Sequence, residues 1–265
     1  MTMTSFLSSR KSVRHFKNRD ISPNTIEKLN EVFRMINTDS QKAITFHAYP
    51  EGETIYKGLD GHAGYNGVMI KAPAYITLEL DSSSPKDRVM GMYRAEEIIS
   101  MLEDEGLASC WISLFDTPKE VKEQVFGFGL YPNLCIAIGY PKARNPFVAE
   151  ATTGRLPVDE LVYKDEFGAQ IQLETLERLN LDDLFYYVRF APNTLNSQTW
   201  RFVVKDQSIE LYLVPYKDTF YYEDAGIMMY YFEQMFQMSG YTGKWAVEED
   251  FVENEKRVKI AEIKL

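Results

Sequence analysis

The segment SRKSVRHF near the N-terminus carries the densest positive charge in this acidic chain. Arg10, Lys11 and Arg14 stand within five residues, and Ser12 lies among them. Guanidinium forks and hydroxyl groups donate the hydrogen bonds that a phosphate or a carbonyl-rich heterocycle accepts. Most such runs are solvated surface, so this segment indicates an anion site only in combination with other motifs.

A second polar segment, APNTLNSQTW, occupies residues 191–200. It stands between LDDLFYYVRF, a run typical of a helix, and RFVV, a run typical of a strand. An ordinary surface loop explains this concentration of amides and hydroxyls only in part. The segment is therefore a candidate ligand-binding loop.

Capping residues and apolar periodicity predict the elements that must position these two segments. A helix is predicted after Ser22, with Ser22 as N-cap and Pro23 in the first helical position. A long helix over residues 87–106 closes at Gly106. Strands are predicted for AITFHAY, APAYITLEL, CWISLF and LCIAIGY, with a helix opening at Thr117-Pro118 between the last two. A connector follows Pro141, and a second helix–strand series begins at Leu173.

The two series can be aligned with each other. RMINTDSQKAITF (34–46) matches RFAPNTLNSQTWRFVV (189–204), and GLASCWI (106–112) matches GYTGKWAV (240–247). Two matches in the same order favour an internal duplication whose period is much longer than a solenoid repeat. The alternative is that both halves only share a helix, glycine and strand succession. The duplication predicts a first half over 1–165, including the connector, and a shorter second half over 166–265.

Composition excludes several classes of protein. The chain has 265 residues, is 45% hydrophobic and has a formal net charge of -10, which argues against nucleic acid and anionic membranes as partners. It has no apolar run long enough to span a bilayer. The N-terminus places its apolar patch before its basic residues, the reverse of the secretory order, and only two cysteines occur. We therefore expect a cytoplasmic protein.

Motifs of hydrolytic, phosphate-loop and metal chemistry are absent from the sequence. It contains no GxxxxGK[ST], HExxH or GxSxG pattern, and its three histidines are not spaced as a metal pair. GFGLYP (127–132) lacks the third glycine of a dinucleotide loop and follows a helix rather than a strand. No metal site is predicted.

Taken together, RKSVRHF, APNTLNSQTW and GLASCWI resemble the FMN-dependent nitroreductase family. Its signatures are R-[RK]-S-x-R-x-F, A-P-S-x-x-N-x-Q-P-W and a G-L-G-S-C-W-like strand. GRLPVDELVY (154–163) resembles the family's C-terminal R-x-P-L-E-E-[VI]-V segment. The resemblance covers nearly the whole chain, although Asn193 and Thr199 replace a serine and a proline of the pattern.

The resemblance implies an α+β fold of antiparallel-rich sheets flanked by helices, with bound FMN. It assigns the phosphate to Arg10, Ser12 and Arg155. Arg14 would lie at the flavin N1/O2 edge and, by stabilising negative charge there, would be the nearest group to a catalytic residue. Ser113 and Leu114 would offer main-chain groups near N5. The full set of FMN contacts implied is Arg10, Lys11, Ser12, Arg14, Tyr65, Asn66, Ser113, Leu114, Arg155, Pro192, Asn193, Thr194 and Asn196.

One departure from the family pattern is informative. Members are homodimers in which the R-x-S-x-R and N-x-Q-P-W segments lie close in sequence, whereas here about two thirds of the chain separates them. The early counterpart NTDSQKAI has lost the asparagine and tryptophan, and the second half has no R-x-S-x-R. The chain thus looks like a single-chain pseudo-dimer with one FMN bound between its halves, and no partner chain is needed to complete the site.

The function implied is hydride transfer from NAD(P)H through FMN to a nitroaromatic, a quinone or a similar flat acceptor. Two alternatives remain open. The protein could bind or sense FMN without turnover, or it could use the flavin for another reaction of this fold, such as reductive dehalogenation or flavin fragmentation.

Overall fold

The computed structural model describes residues 2–64, 67–81, 83–143 and 154–265. Contacts divide the chain into two compact units, each built from separate segments. The C-terminal unit comprises Met1–Arg10, Ser84–Glu96 and Glu150–Leu265, and the N-terminal unit comprises Lys11–Ser83 and Glu97–Ala149. This grouping differs from a single boundary after residue 165 in that the first ten residues belong to the C-terminal unit, where Phe6 contacts Tyr231.

Nine helices and nine strands are assigned in the described ranges, with one short 3-10 turn at Thr194–Asn196. The helices are α1 Met3–Ser9, α2 Pro23–Asp39, α3 Gly52–Leu59, α4 Pro85–Asp104, α5 Lys119–Phe126, α6 Val158–Leu161, α7 Leu173–Arg178, α8 Asp182–Val188 and α9 Tyr222–Met238. The strands are β1 Ile44–Tyr49, β2 Ala74–Leu80, β3 Ala108–Ser113, β4 Leu134–Gly139, β5 Val162–Lys164, β6 Trp200–Val204, β7 Ser208–Leu213, β8 Trp245–Val247 and β9 Val258–Lys264.

The N-terminal unit is built on a four-stranded sheet in the order β1-β2-β4-β3, in which all pairs are antiparallel. β2 and β4 lie in the centre and are buried along almost their whole length, as continuous apolar runs predict. Tyr75 on β2 and Leu59 on α3 belong to the core on one side of this sheet.

The C-terminal unit is built on a five-stranded sheet in the order β5-β6-β7-β9-β8. Only β5 runs parallel to its neighbour β6. Helix α9 is buried on nearly every face, which fits its largely apolar sequence, and its acidic residues Glu223, Asp224 and Glu233 are buried with the rest. Phe232 of α9 contacts Phe202 on β6 and Trp245 on β8, with ring centroids 5.1 and 5.0 Å away.

The two sheets share one topology. Without the extra edge strand β5, the order β6-β7-β9-β8 repeats the order β1-β2-β4-β3, and every pair in both sets is antiparallel. A helix precedes the first strand of each set (α2 and α8), and a long helix joins the second strand to the third (α4 and α9). The repeated order supports the internal duplication that the sequence matches indicate.

Local sequence signals agree with the structure at most of the ends of helices and strands. Ser22 accepts a hydrogen bond from the Thr25 N–H, and Pro23 opens α2, which confirms the predicted cap. Gly106 follows α4 with φ +74°, in the left-handed region that favours glycine. The sequence interpretation missed α1, whose Phe6 is buried, and α3. Both helices are short, so their periodicity is weak.

Two kinds of feature, a membrane-spanning helix and a metal-binding group of side chains, are not found among the described residues. No helix among them combines the length and the apolar character that a membrane span requires. No three histidine, cysteine or acidic side chains among them are grouped so as to hold a metal ion.

Candidate functional site

The segment 191–200 forms a strained loop between α8 and β6 in the C-terminal unit. Leu195, Asn196 and Gln198 adopt positive φ values of 54°, 56° and 50°. This region is costly for residues other than glycine, by about 1–3 kcal/mol each where the surroundings enforce it. Such strain persists only when other contacts hold the backbone, so those contacts define what the loop is built to present.

Side-chain hydrogen bonds tie this loop to the segment around Gly154. The Asn196 Nδ2 donates to the Gly154 carbonyl at 3.0 Å. Gln198 Oε1 accepts from the Leu156 N–H at 2.8 Å, and Gln198 is buried. Two motifs that are about 40 residues apart in sequence are thereby brought together, and Arg155 lies at the contact.

Two further contacts fix the interior of the loop. Asn193 Oδ1 accepts from the Gln198 N–H at 2.9 Å. Thr194 donates both its N–H and its hydroxyl to Asp224 Oδ1, each at 2.9 Å. Asp224 stands in the first turn of α9 and is 1% exposed. Burial raises the pKa of its carboxyl group to about 7, against the lowering effect of the Thr194 hydrogen bonds.

The guanidinium of Arg155 is incompletely paired. Its Nη2 donates to the Phe190 carbonyl at 3.3 Å, but its Nε and Nη1 are buried and have no hydrogen-bond partner in the described part of the chain. Burial, followed by the charge of Arg189, lowers the pKa of this guanidinium. Asn196 Oδ1 and Ser197 Oγ are also buried without partners among the described residues. Buried polar atoms are normally paired, so this cluster has the donors and acceptors of an incomplete ligand site.

Arg10, the other arginine assigned to the phosphate, belongs to the same unit but is already neutralised. Its guanidinium forms an ion pair with Glu96, and both side chains are 1% exposed. Its Nη2 also donates to the Glu96 carbonyl at 3.2 Å. The rings of Phe6, Tyr230 and Tyr231 surround it at 5.5–5.8 Å. This environment is that of a compensated buried charge, so Arg155 fits an anionic ligand better.

The remaining residues of the RKSVRHF motif belong to the N-terminal unit, where they follow the edge of its sheet. Val13 N–H donates to the Ser109 carbonyl at 2.9 Å, beside the start of β3. Ser12 and Arg14 lie at the buried thiol of Cys110, where both oppose the effect of burial, which raises the Cys110 pKa. Lys11, the first residue of this unit, is exposed.

The end of β3 supplies the other predicted contacts of this unit. Ser113 is exposed, and its carbonyl accepts from the Gly64 N–H at 3.2 Å. Leu114 is fully buried, and its N–H already donates to the Asn133 carbonyl at 2.9 Å. The Leu114 N–H is therefore engaged within the unit, and the assignment of Leu114 main-chain groups to a flavin stays a prediction. Tyr65 and Asn66 lie outside the described residues.

The sequence alone does not identify three residues of the C-terminal unit that take part in these contacts, namely Glu96, Arg189 and Asp224. Their roles depend on burial and on distant partners, which a single sequence does not display. Arg189 alone had a signal, because it is the arginine shared by the two aligned segments RMINTDSQ and RFAPNTLNSQ.

Comparison with known proteins places the chain in a family. The profile of a family described as "Putative TM nitroreductase" matches residues 2–236. The crystal structure of a putative nitroreductase from Thermotoga maritima aligns with a TM-score of 0.62 and 15% identity over 98% of this chain and 93% of that chain. A nitroreductase with bound FMN from Bacteroides fragilis aligns with a TM-score of 0.44 and 17% identity over 57% and 94% of the two chains. An FMN-dependent nitroreductase from Clostridium difficile aligns with a TM-score of 0.44 and 17% identity over 54% and 89%. No curated protein matches the sequence.

Proposed function

The chain belongs to the putative TM nitroreductase family, and on this basis we propose that it is an FMN-dependent oxidoreductase. In this proposal NAD(P)H is the electron donor, and the acceptor is a nitroaromatic, a quinone or another small flat molecule. The T. maritima structure supports the nitroreductase fold over nearly the whole chain.

One observation carries the assignment of the cofactor, and it is the unsatisfied guanidinium of Arg155. Its buried Nε and Nη1 lack partners in the described ranges, and the unpaired Asn196 Oδ1 belongs to the loop bonded to Gly154. Leaving buried polar groups unpaired costs about 1–3 kcal/mol each, and more for charged groups. A ligand that combines a phosphate with a polar heterocycle would satisfy both kinds of atom, which is the chemistry of FMN.

The chain's own residues bind and orient in this proposal. Arg155 holds the phosphate, since a guanidinium fork matches phosphate oxygens. Arg14 places positive charge at the pyrimidine edge, and Ser12 adds a hydroxyl donor. Asn193 and Thr194 are held in place by the loop contacts and form a wall of the binding site. FMN, when bound, supplies the hydride-accepting chemistry, so no side chain needs to act as a general acid or base.

The visible spectrum of the purified protein tests this proposal directly. We expect a yellow protein whose released cofactor is identified as FMN by mass spectrometry. We also expect steady NAD(P)H oxidation when a quinone is added, with Arg14→Ala lowering the rate. A protein that remains colourless after incubation with FMN would contradict the proposal.

The same experiment separates the proposal from its alternatives. FMN retention without NAD(P)H oxidation by any quinone or nitroaromatic would favour a flavin-binding or sensing protein. FMN retention with turnover of a halogenated substrate, or with breakdown of the flavin itself, would favour one of the other reactions.

A further inference from the structure

Two arginines of the C-terminal unit each donate a hydrogen bond to the main chain next to the other. Arg155 Nη2 donates to the carbonyl of Phe190, the residue after Arg189, at 3.3 Å. Arg189 Nη1 donates to the carbonyl of Leu156, the residue after Arg155, at 3.3 Å. Each guanidinium is therefore fixed beside the backbone of the other arginine.

Neutral groups alone hold the Arg189 side chain in this position. Its Nε donates to the Tyr186 carbonyl at 3.0 Å. Its guanidinium carbon lies 4.5 Å from the centre of the Tyr186 ring and 5.0 Å from that of Phe190. Aromatic faces and carbonyls attract a cation but do not cancel its charge. The positive charge is therefore oriented and left uncompensated by these contacts.

Neither arginine forms an ion pair with a carboxylate within the ranges that the structure describes. The charge of Arg189 is close enough to contribute, after burial, to the lowered pKa of Arg155. Arg10 shows the contrast in the same unit, because Glu96 compensates its buried charge. Bringing two like charges together without a counter-ion is unfavourable, and a bound dianion removes that cost.

We propose that Arg155 and Arg189 form a two-guanidinium site for a phosphate monoester dianion, and that Arg189 is a phosphate-binding residue. Two planar forks can engage several phosphate oxygens at once, and their summed charge matches a dianion. The proposal rests on the proposed function in one respect only, which is that it takes the phosphate of FMN as the occupant.

Comparison of FMN with riboflavin, which lacks the phosphate, isolates this role. We would measure the Kd of both flavins by fluorescence quenching for the wild type, Arg189→Ala and Arg189→Met. The methionine variant keeps an aliphatic side chain against Tyr186 in case the alanine variant folds poorly. Arg178→Ala, which removes an exposed arginine at the end of α7, is the matched control.

Loss of one charge-assisted contact should weaken FMN binding about tenfold or more in both Arg189 variants. Their riboflavin affinity should stay at the wild-type value, and Arg178→Ala should resemble the wild type for both flavins. Unchanged FMN affinity would overturn the proposal. An equal loss for FMN and riboflavin would also overturn it, since that pattern indicates a purely structural role.

Inorganic phosphate distinguishes failure of this inference from failure of the proposed function. If no flavin binds to the wild type, the thermal stabilisation by phosphate is measured for the same variants. Stabilisation of the wild type and Arg178→Ala, but not of the Arg189 variants, would retain the phosphate site while the FMN proposal fails. No stabilisation of the wild type by phosphate in that case would overturn the site as well.

Discussion

Asp224 accepts two hydrogen bonds from Thr194 at a single carboxylate oxygen, one from the N–H and one from the hydroxyl, both at 2.9 Å. Its other oxygen, Oδ2, is buried without a partner among the described residues. Burial raises the pKa of this carboxyl group to about 7, and the neighbouring Glu223 charge also raises it. The folded protein therefore holds a carboxyl group that titrates near neutrality directly behind its strained polar loop.

Substitution of Asp224 by Asn should change how stability depends on pH. The folded pKa of about 7 lies above the ordinary value of 3.8, so the contribution of Asp224 to stability is fully present below about pH 4 and is lost as the pH rises towards 7. Asn keeps an oxygen acceptor for Thr194 but carries no charge to bury. The difference in Tm, Asp224→Asn minus wild type, should therefore increase between pH 4.5 and 7 and then level off.

Thermal unfolding across pH 4.5–8.5 would measure this difference. Asp183→Asn, which removes an exposed carboxylate on α8, is the control for loss of an acidic residue. A difference in Tm that is constant over this range would show that Asp224 does not titrate as described.

The ion pair between Arg10 and Glu96 should be essential to the fold of the C-terminal unit. Arg10→Met leaves Glu96 buried beside aromatic rings, and breaking a buried pair from one side costs about 3–5 kcal/mol. Urea unfolding should show this loss, with partial recovery in the double variant Arg10→Met/Glu96→Gln, which removes the stranded charge. A double variant no more stable than Arg10→Met would count against the ion pair. Where FMN binding is also measured, the variants and the wild type must be compared at equal folded fraction.

A single chain should suffice for FMN binding. Arg14→Ala and Asn196→Ala each remove a predicted flavin contact, so each variant alone should bind FMN weakly. If every chain carries its complete site, mixing the two variants regenerates no intact site and the FMN affinity stays low. Regained binding in the mixture would instead indicate a homodimer that builds its sites from two chains, and wild-type protein carried through the same mixing procedure is the control.

Gly226 should be required where α9 packs against α4. A Cβ at this position would lie 2.0 Å from the Val89 carbonyl oxygen and 2.9 Å from the Met92 Cβ. Replacing glycine by alanine within a helix ordinarily stabilises it by about 1 kcal/mol. Here the clash should reverse the sign, and overpacking of this kind costs about 1–3 kcal/mol or more. Urea unfolding of Gly226→Ala tests this clash. An unchanged or raised free energy of unfolding would disprove the close approach of α9 to α4 at Gly226.

Much of the fold follows from the sequence alone, because its signals are local. Ser22 and Pro23 specify the start of α2, Gly106 ends α4, and continuous apolar runs specify the buried strands β2 and β4. The paired motifs also predicted the duplication that the repeated strand order supports. The polar loop before β6 was identified in the same way, from the kinds of residue between a helix and a strand.

Only the tertiary structure decided which charges in the candidate site are compensated. Arg10 and Arg155 each lie in a motif that resembles the family pattern. Arg10 forms an ion pair with Glu96, 86 residues away, whereas Arg155 lies near the like charge of Arg189. Asp224 likewise depends on a partner 30 residues distant. The cost of a buried charge depends on what surrounds it in space. Composition and spacing therefore identify the charged residues, and their pairing across the fold determines which of them remain available to a ligand.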